Sequence, residues 1–183
     1  MLSLLYEESL LMGDRELGAA SLRDQVARLF EEAREDVYRY LLTLGLAPPQ
    51  AQEAAQDVFL RLYVALKKGE EIRNPRAWIF RVAHNLGLKI RRRRDLPSFA
   101  PGLEARIPDP ARDPEEDLLE RERLRRIDRG IQELSEQQRN CLFLRMEGLR
   151  YAEIGAVLGI GAPTVGEFLR RAMAKLKKVL HDE

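Results

Sequence analysis

The sequence predicts an all-α chain of two small helical domains, and three observations predict it. Apolar residues recur at spacings of three and four, which gathers them on one face of a helix. No stretch shows the apolar/polar alternation that a half-buried strand needs. One segment, Leu96 to Pro114, holds Pro97, Pro101, Pro108, Pro110, Pro114 and Gly102, a density at which neither a helix nor a central strand survives. The 183 residues suffice for a sizeable core whether they form one domain or two. The boundaries expected are an N-terminal extension at 1–20, a first helical domain at 21–95, a flexible Pro-rich acidic linker at 96–117 and a second domain at 118–183.

Leu22, Val26, Leu29, Ala33, Val37 and Leu41 set the first helix, which Gly45 and Pro48-Pro49 end. Ala54, Ala55, Val58, Phe59, Leu62 and Leu66 set the second, running to Lys67-Lys68-Gly69. The third starts at Asn74-Pro75, an N-cap followed by a proline that costs nothing in a first turn. Its apolar side is Trp78, Ile79, Val82, Leu86 and Ile90, and at that spacing Trp78 reads as core rather than as a stacking platform. Helical pattern resumes near Glu115, and Ser135 with Gln138 three residues on has the form of a capping box. Tyr151 to Leu158 gives two turns of helix, Gly159-Ile160-Gly161 a tight turn, and Val165, Leu169, Ala172 and Leu176 the buried side of a last helix that tolerates Pro163 early on. This is a helix-turn-helix, whose second helix offers Ala162, Thr164, Gly166, Glu167 and Arg170 to a major groove.

Charge distribution says more than charge total. The net charge is +1, from 31 basic and 30 acidic residues, so the balance as a whole identifies no polyanionic partner. Yet Arg73 to Arg94 holds eight Lys/Arg and no acid, Glu104 to Glu122 holds eight acids against three arginines, and Leu169 to Leu180 is again basic without an acid. Two basic surfaces joined by an acidic tether suit one long polyanion gripped at two places. Met1 to Leu11 carries Glu7 and Glu8 without a basic leader, so no secretory signal or membrane span is expected and a cytoplasmic location is. Cys141, the single cysteine, lies in an apolar run and reads as a buried reduced thiol. With two histidines, no paired carboxylates in a cleft-like context and no phosphate-cradling glycine loop, no catalytic residue, metal site or cofactor is expected.

The segments "AQEAAQDVFLRLY", "NPRAWIFRVAHNLGLKIRRRR" and "LSEQQRNCLFLRMEGLRYAEIGAVLGIGAPTVGEFLRRAMAKLKKVL", in this order and with a linker between the last two, resemble the extracytoplasmic-function (ECF) group of bacterial RNA polymerase sigma factors. The resemblance implies a transcription initiation factor that binds core RNA polymerase, recognises the −10 and −35 promoter elements and promotes promoter melting. Its partners would be core polymerase, promoter DNA as upstream duplex and as melted non-template strand, and an anti-sigma factor. Polymerase contact falls on Glu53, Gln56, Asp57, Leu60 and Arg61. Contact with the −10 element would fall on Arg73, Asn74, Arg76, Arg81, His84, Asn85, Lys89, Arg91, Arg92, Arg93 and Arg94, with base capture by the loop at about Lys67 to Asn74, although His84 reads equally as a helical histidine satisfied by its neighbours. Contact with the −35 element falls on Tyr151, Pro163, Thr164, Gly166, Glu167, Arg170, Arg171 and Lys175.

The chemistry of these residues fits those roles: a melted strand needs cations along its backbone and receptive faces for unstacked bases. Three departures from the family pattern stand out. Thr164-Val165 is followed by Gly166-Glu167-Phe168 where basic or small polar residues are usual, Lys89 replaces a frequent aspartate, and Gly155 replaces a common alanine at a cost of about 1 kcal/mol in helix propensity, so a looser unit is expected. Glu167 can accept from a cytosine amino group, while Phe168 can either meet a thymine methyl or be buried.

Overall fold

The computed structural model describes residues 2–93, 122 and 125–181, with side chains at 21–93, 122 and 125–179. Arg94 and the expected linker, 96–117, lie outside the described residues. Helix α1 spans Leu2–Thr43. It begins about twenty residues before the first periodic leucine, so the backbone at 2–20 continues α1 rather than forming a separate element. The first proline of the chain is Pro48, and nothing earlier forces a break.

Gly45, at φ 94°, turns the chain out of α1 while the Leu46 N–H returns to the Leu41 carbonyl at 3.2 Å, a closure that favours glycine because φ is positive. Pro48 and Pro49 then open α2 (Pro48–Lys67), where their missing N–H groups would have lacked partners anyway. The vacant capping role of Ala47 is taken partly by Gln50, whose Oε1 accepts from the Ala47 N–H at 3.1 Å. Helix α3 (Pro75–Arg93) starts as expected, with Asn74 Oδ1 accepting from the Ala77 N–H at 3.0 Å.

These helices bury Val37, Tyr40, Leu41, Leu44, Val58, Leu62, Ile79 and Phe80 completely, and Phe30 meets Phe59 edge to face at 5.0 Å. Trp78 packs half-buried against this core. Gly87 of α3 lies against the end of α1 and the residue after it, where an added Cβ would come within 2.7 Å of Leu44 Cδ1 and 3.2 Å of Leu41 Cδ2.

Helix α4 covers the described helical residues 125–132, followed by α5 (Glu136–Met146), α6 (Tyr151–Leu158) and α7 (Ala162–His181). The capping box forms as read: Ser135 Oγ accepts from the Gln138 N–H at 3.3 Å and Gln138 Oε1 from the Ser135 N–H at 3.0 Å. Gly159, at φ 69°, makes the turn of the helix-turn-helix, and Val165, Leu169 and Ala172 are its buried seam. At Gly155 the turn itself calls for a glycine. The Ile160 N–H bonds the Gly155 carbonyl at 3.0 Å, and a Cβ on Gly155 would stand 2.6 Å from the Ile160 carbonyl oxygen, so glycine admits a closely wound turn. Cys141 is buried, and burial pushes its thiol up to about 11.

The two helical units meet along an aromatic seam. Phe143 of α5 lies 5.3 Å from the Tyr40 ring of α1 and 6.5 Å from Phe80 of α3. His84, expected to touch DNA, is instead 7% exposed and hydrogen-bonded through Nδ1 to the Tyr40 hydroxyl at 2.9 Å. It lies on the apolar side of α3, one residue after buried Ala83, which explains why it faces inward. Burial lowers its pKa from 6.5, with Glu136 opposing and Arg91 adding to the shift.

This packing has two consequences for stability. The unfolded chain takes up a proton at His84 near pH 6.5 and the folded one only at a lower pH, so stability is full above pH 6.5, falls below it by at most about 1.4 kcal/mol per pH unit, and levels off once the folded imidazole is itself protonated. Urea midpoints measured between about pH 7 and 5 therefore decline more steeply for the native chain than for His84→Gln. Gly87→Ala gains up to about 1 kcal/mol of helix propensity but overpacks buried leucines at about 1–3 kcal/mol; a lowered urea midpoint is expected, and a raised one would show that Leu44 yields freely.

Candidate nucleic-acid interface

Three exposed faces carry most of the described residues singled out from the sequence. On α2, Glu53, Gln56, Leu60 and Arg61 are exposed and Asp57 is half-buried, with Asp57 Oδ2 accepting from Arg61 Nη2 at 2.9 Å. Leu60 is 62% exposed and Val64 follows one turn on. Beside them runs an apolar groove of about 360 Å³ between α1 and α2, lined in part by Val26, Phe30, Phe59 and Tyr63. Charged groups flanking an uncovered leucine are the composition of a protein-docking face.

The outer side of α3 is the cationic face. Arg81, Asn85 and Lys89 follow one another at intervals of four, with Arg92 and Arg93 beyond, and all five are exposed. Asn85, Leu88, Lys89, Arg92 and Arg93 line an open cleft of about 330 Å³. No carboxylate occurs in α3, so this stripe has no internal counter-charge. Arg73, just before the helix, is exposed with Glu71 3.7 Å away.

The remaining described cations of this set are held from outside α3. Arg76 donates from Nη2 to Asp36 of α1 at 2.9 Å and to the Glu147 carboxylate, and from Nε to the Glu147 carbonyl at 2.9 Å. Its guanidinium also lies over the Phe80 ring at 5.5 Å. Burial alone would raise the Asp36 carboxyl, yet the hydrogen bonds from Arg76 and Arg39 hold it below its ordinary value. Burial and then the Asp36 charge push Glu147 upward. Arg91 donates to Glu136 at 2.6 Å and to the Leu44 carbonyl at 3.2 Å, and Asn74 Nδ2 donates to Glu153 at 2.7 Å. Sequence reading did not identify Asp36, Glu136, Glu147 and Glu153 as partners; only Glu153, three residues after Arg150, had a local signal, and it does accept from the Arg150 N–H at 2.7 Å.

On the helix-turn-helix, Pro163, Thr164, Arg170, Arg171 and Lys175 are exposed at the surface of α7, with Gly166 and Glu167 half-buried. Tyr151, 45% exposed, sets its ring beside Gly166, where an added Cβ would meet Cε2 at 3.5 Å. Glu167 accepts from Arg170 at 2.9 Å and from Arg171 at 2.6 Å. Those two guanidinium groups lower its pKa to about 2, so it stays ionised under all ordinary conditions. Phe168 is partly buried against the core, which favours the packing role over the thymine contact. Lys175 donates to the Glu133 carbonyl at 3.0 Å.

Among the described residues no single helix is long and apolar enough to cross a membrane, and no cluster of three His, Cys, Asp or Glu could hold a metal ion. Compared with known proteins, residues 29–96 match sigma-70 region 2 and residues 124–176 match sigma-70 region 4. Over 125 residues the chain is 30% identical to the ferric citrate uptake sigma factor FecI of Escherichia coli, covering 67% of this chain and 72% of that protein. Over 170 residues it is 25% identical to the ECF RNA polymerase sigma factor SigW of Bacillus subtilis, covering 87% and 91%. In fold it is similar to the sigma factor RpoE of Bartonella quintana, solved with the anti-sigma factor NepR, at a TM-score of 0.61 and 19% identity over 86% of this chain and 98% of that one. It is also similar to CnrH, solved with the cytosolic domain of CnrY, at 0.57 and 23% over 90% and 96%.

Glu167→Gln is expected to release Arg170 and Arg171 for phosphate. The log–log salt slope of duplex binding, read by fluorescence anisotropy, should steepen by about 0.9 for each additional phosphate neutralised. An unchanged slope would mean that neither arginine reaches the backbone.

Proposed function

The chain belongs to the ECF group of the sigma-70 family of bacterial RNA polymerase sigma factors, and from this premise we propose how its faces divide the work of initiation. As a sigma factor it binds RNA polymerase and recognises promoters. The α2 face, with Leu60 at its centre and Glu53, Gln56, Asp57 and Arg61 around it, docks on the polymerase clamp. The loop Lys67 to Asn74 and the outer side of α3 take the −10 element, with promoter melting driven by capture of the non-template strand. The start of α7 enters the major groove of the −35 element, where Thr164 and Glu167 face base edges and Arg170, Arg171 and Lys175 face phosphates. Regulation by an anti-sigma factor is supported by one solved structure of like fold, the Bartonella quintana RpoE captured with the anti-sigma factor NepR.

The observation that carries this reading is the carboxylate-free stripe Arg81, Asn85, Lys89, Arg92 and Arg93 on the exposed side of α3. A strand separated from its complement loses stacking and presents a bare backbone, and a row of cations without counter-charge gives it an alternative to re-annealing. Glu167, ionised and oriented by two arginines, is a hydrogen-bond acceptor and so favours a cytosine amino group over the acceptor edge of guanine.

With purified core polymerase, the chain is expected to direct run-off transcripts from its own promoters; a promoter library that yields no dependent product would remove the reading. Leu60→Asp should abolish capture of core polymerase while leaving the helical content unchanged. Arg92→Ala with Arg93→Ala should flatten the salt slope of single-strand binding by about 0.7 for each phosphate left without its cation.

A further inference from the structure

The loop that joins α2 to α3 carries acceptors beside a surface made of donors. Its two ends are fixed. Gly69, at φ 81°, closes α2 with its N–H on the Leu66 carbonyl at 3.0 Å, and the Glu70 N–H returns to the Ala65 carbonyl at 3.1 Å. At the other end Ile72 packs half-buried against the core, and Asn74 Oδ1 caps α3. Between these anchors Glu70 and Glu71 stand exposed, and Arg73 is exposed beyond them.

The side chains of the loop differ in what they can offer a base. Lys67, Lys68 and Arg73 only donate, and Asn74 is engaged at both ends of its amide. A carboxylate only accepts, and it repels a phosphodiester, so neither glutamate suits the backbone of a strand. Of the two, Glu71 has its charge partnered within the loop: Oε1 lies 3.7 Å from Arg73 Nε. That pair carries no net charge, so it places an acceptor near the strand without a net repulsion.

A base turned out of its stack is read along the edge that its complement has left. There guanine presents two adjacent donors, its ring N–H and its exocyclic amino group. Adenine and cytosine present one amino group next to a ring-nitrogen acceptor, and thymine one N–H between two carbonyls. Only guanine can fill both oxygens of a carboxylate at once, and charge-assisted bidentate bonds are the stronger kind. Facing an intact duplex, the same acid would meet the major-groove edge, where cytosine is its partner. Extrusion therefore changes the base that a carboxylate selects.

We propose that Glu71, paired with Arg73, is a specificity-determining residue of this loop and selects guanine as the captured base of the −10 element. The inference rests on the assignment of the loop to base capture.

The test uses the full chain assembled with core polymerase and a promoter library randomised through the −10 element, read by sequencing the run-off transcripts. The native chain is expected to favour guanine at one non-template position. Glu71→Gln should lower that preference by about tenfold, within the range for loss of a bidentate base contact, while preferences at the other positions hold. Glu70→Gln, the same charge change one residue earlier, should leave the guanine preference in place. Inosine at that position lacks the amino group and should forfeit most of the advantage, whereas a deazaguanine altered only in its imidazole ring should keep it. A uniform loss across all promoters with Glu71→Gln, an equal effect of Glu70→Gln, a native preference for another base, or sensitivity to the deazaguanine but not to inosine would each overturn the proposal and leave base capture standing. Transcription with no base preference anywhere in the −10 element would remove base capture as well.

Discussion

Arg76 is the pivot on which the arrangement depends, because it is the shared counter-charge of two carboxylates from different parts of the chain. Asp36 comes from α1 and Glu147 from the turn after α5. Their acidities are displaced in opposite directions: hydrogen bonds from Arg76 and Arg39 outweigh burial and hold Asp36 down, while burial and then the Asp36 charge push Glu147 up. One guanidinium between them turns a repulsive pair into a three-centre link, and its planar fork suits that role better than an ammonium would. The link joins the first helical unit to the second beside the Phe80 ring, over which the same guanidinium sits. Without Arg76 the two acids would face each other at a partly buried seam, a situation that costs more than the lost bonds alone.

From that pivot, α3 divides into sides of different character. Its inward side is stitched into the fold by Ile79, Phe80, Ala83 and His84, and its two flanking cations, Arg76 and Arg91, are neutralised by groups from elsewhere in the chain. Its outward side keeps Arg81, Lys89, Arg92 and Arg93 without a helix-internal acid. The helix thus serves as a structural strut and as a cationic edge, with Gly87 allowing it to approach α1 closely enough for the first role.

What the sequence made legible was whatever is decided locally. The cap at Asn74, the box at Ser135, the turn at Gly159 and the buried seam of α7 depend on neighbours within a few positions, and each stands where the pattern put it. His84 could be read either as a DNA contact or as a helical histidine satisfied by its neighbours, because one helical position separates a groove-facing residue from a core-facing one; its burial and its bond to Tyr40 select the second. The acids Glu136, Glu147 and Glu153 were invisible as partners because their bonds span 45, 71 and 79 residues; nothing in the local pattern of either end announces the other. The reach of α1 to Leu2 escaped for a different reason: its first half lacks the regular apolar spacing of the second and holds Gly13 and Gly18, which weaken a helix, although no proline interrupts it.

The near-neutral total of 31 basic and 30 acidic residues now has a physical sense beyond solubility. A chain with two uncompensated cationic faces would adhere to any nucleic acid it met, because backbone attraction carries no sequence information. Here the acids are placed against particular cations: Glu167 on Arg170 and Arg171, Glu147 and Asp36 on Arg76, Glu136 on Arg91. Each such pair lowers attraction to a generic phosphate, yet it can exchange its carboxylate for DNA when geometry brings the correct groups close. Glu167 goes further, since it opposes phosphate but can itself accept a hydrogen bond from a base edge. If the faces divide the work as proposed, specificity in this chain would arise as much from where its carboxylates sit as from where its arginines do.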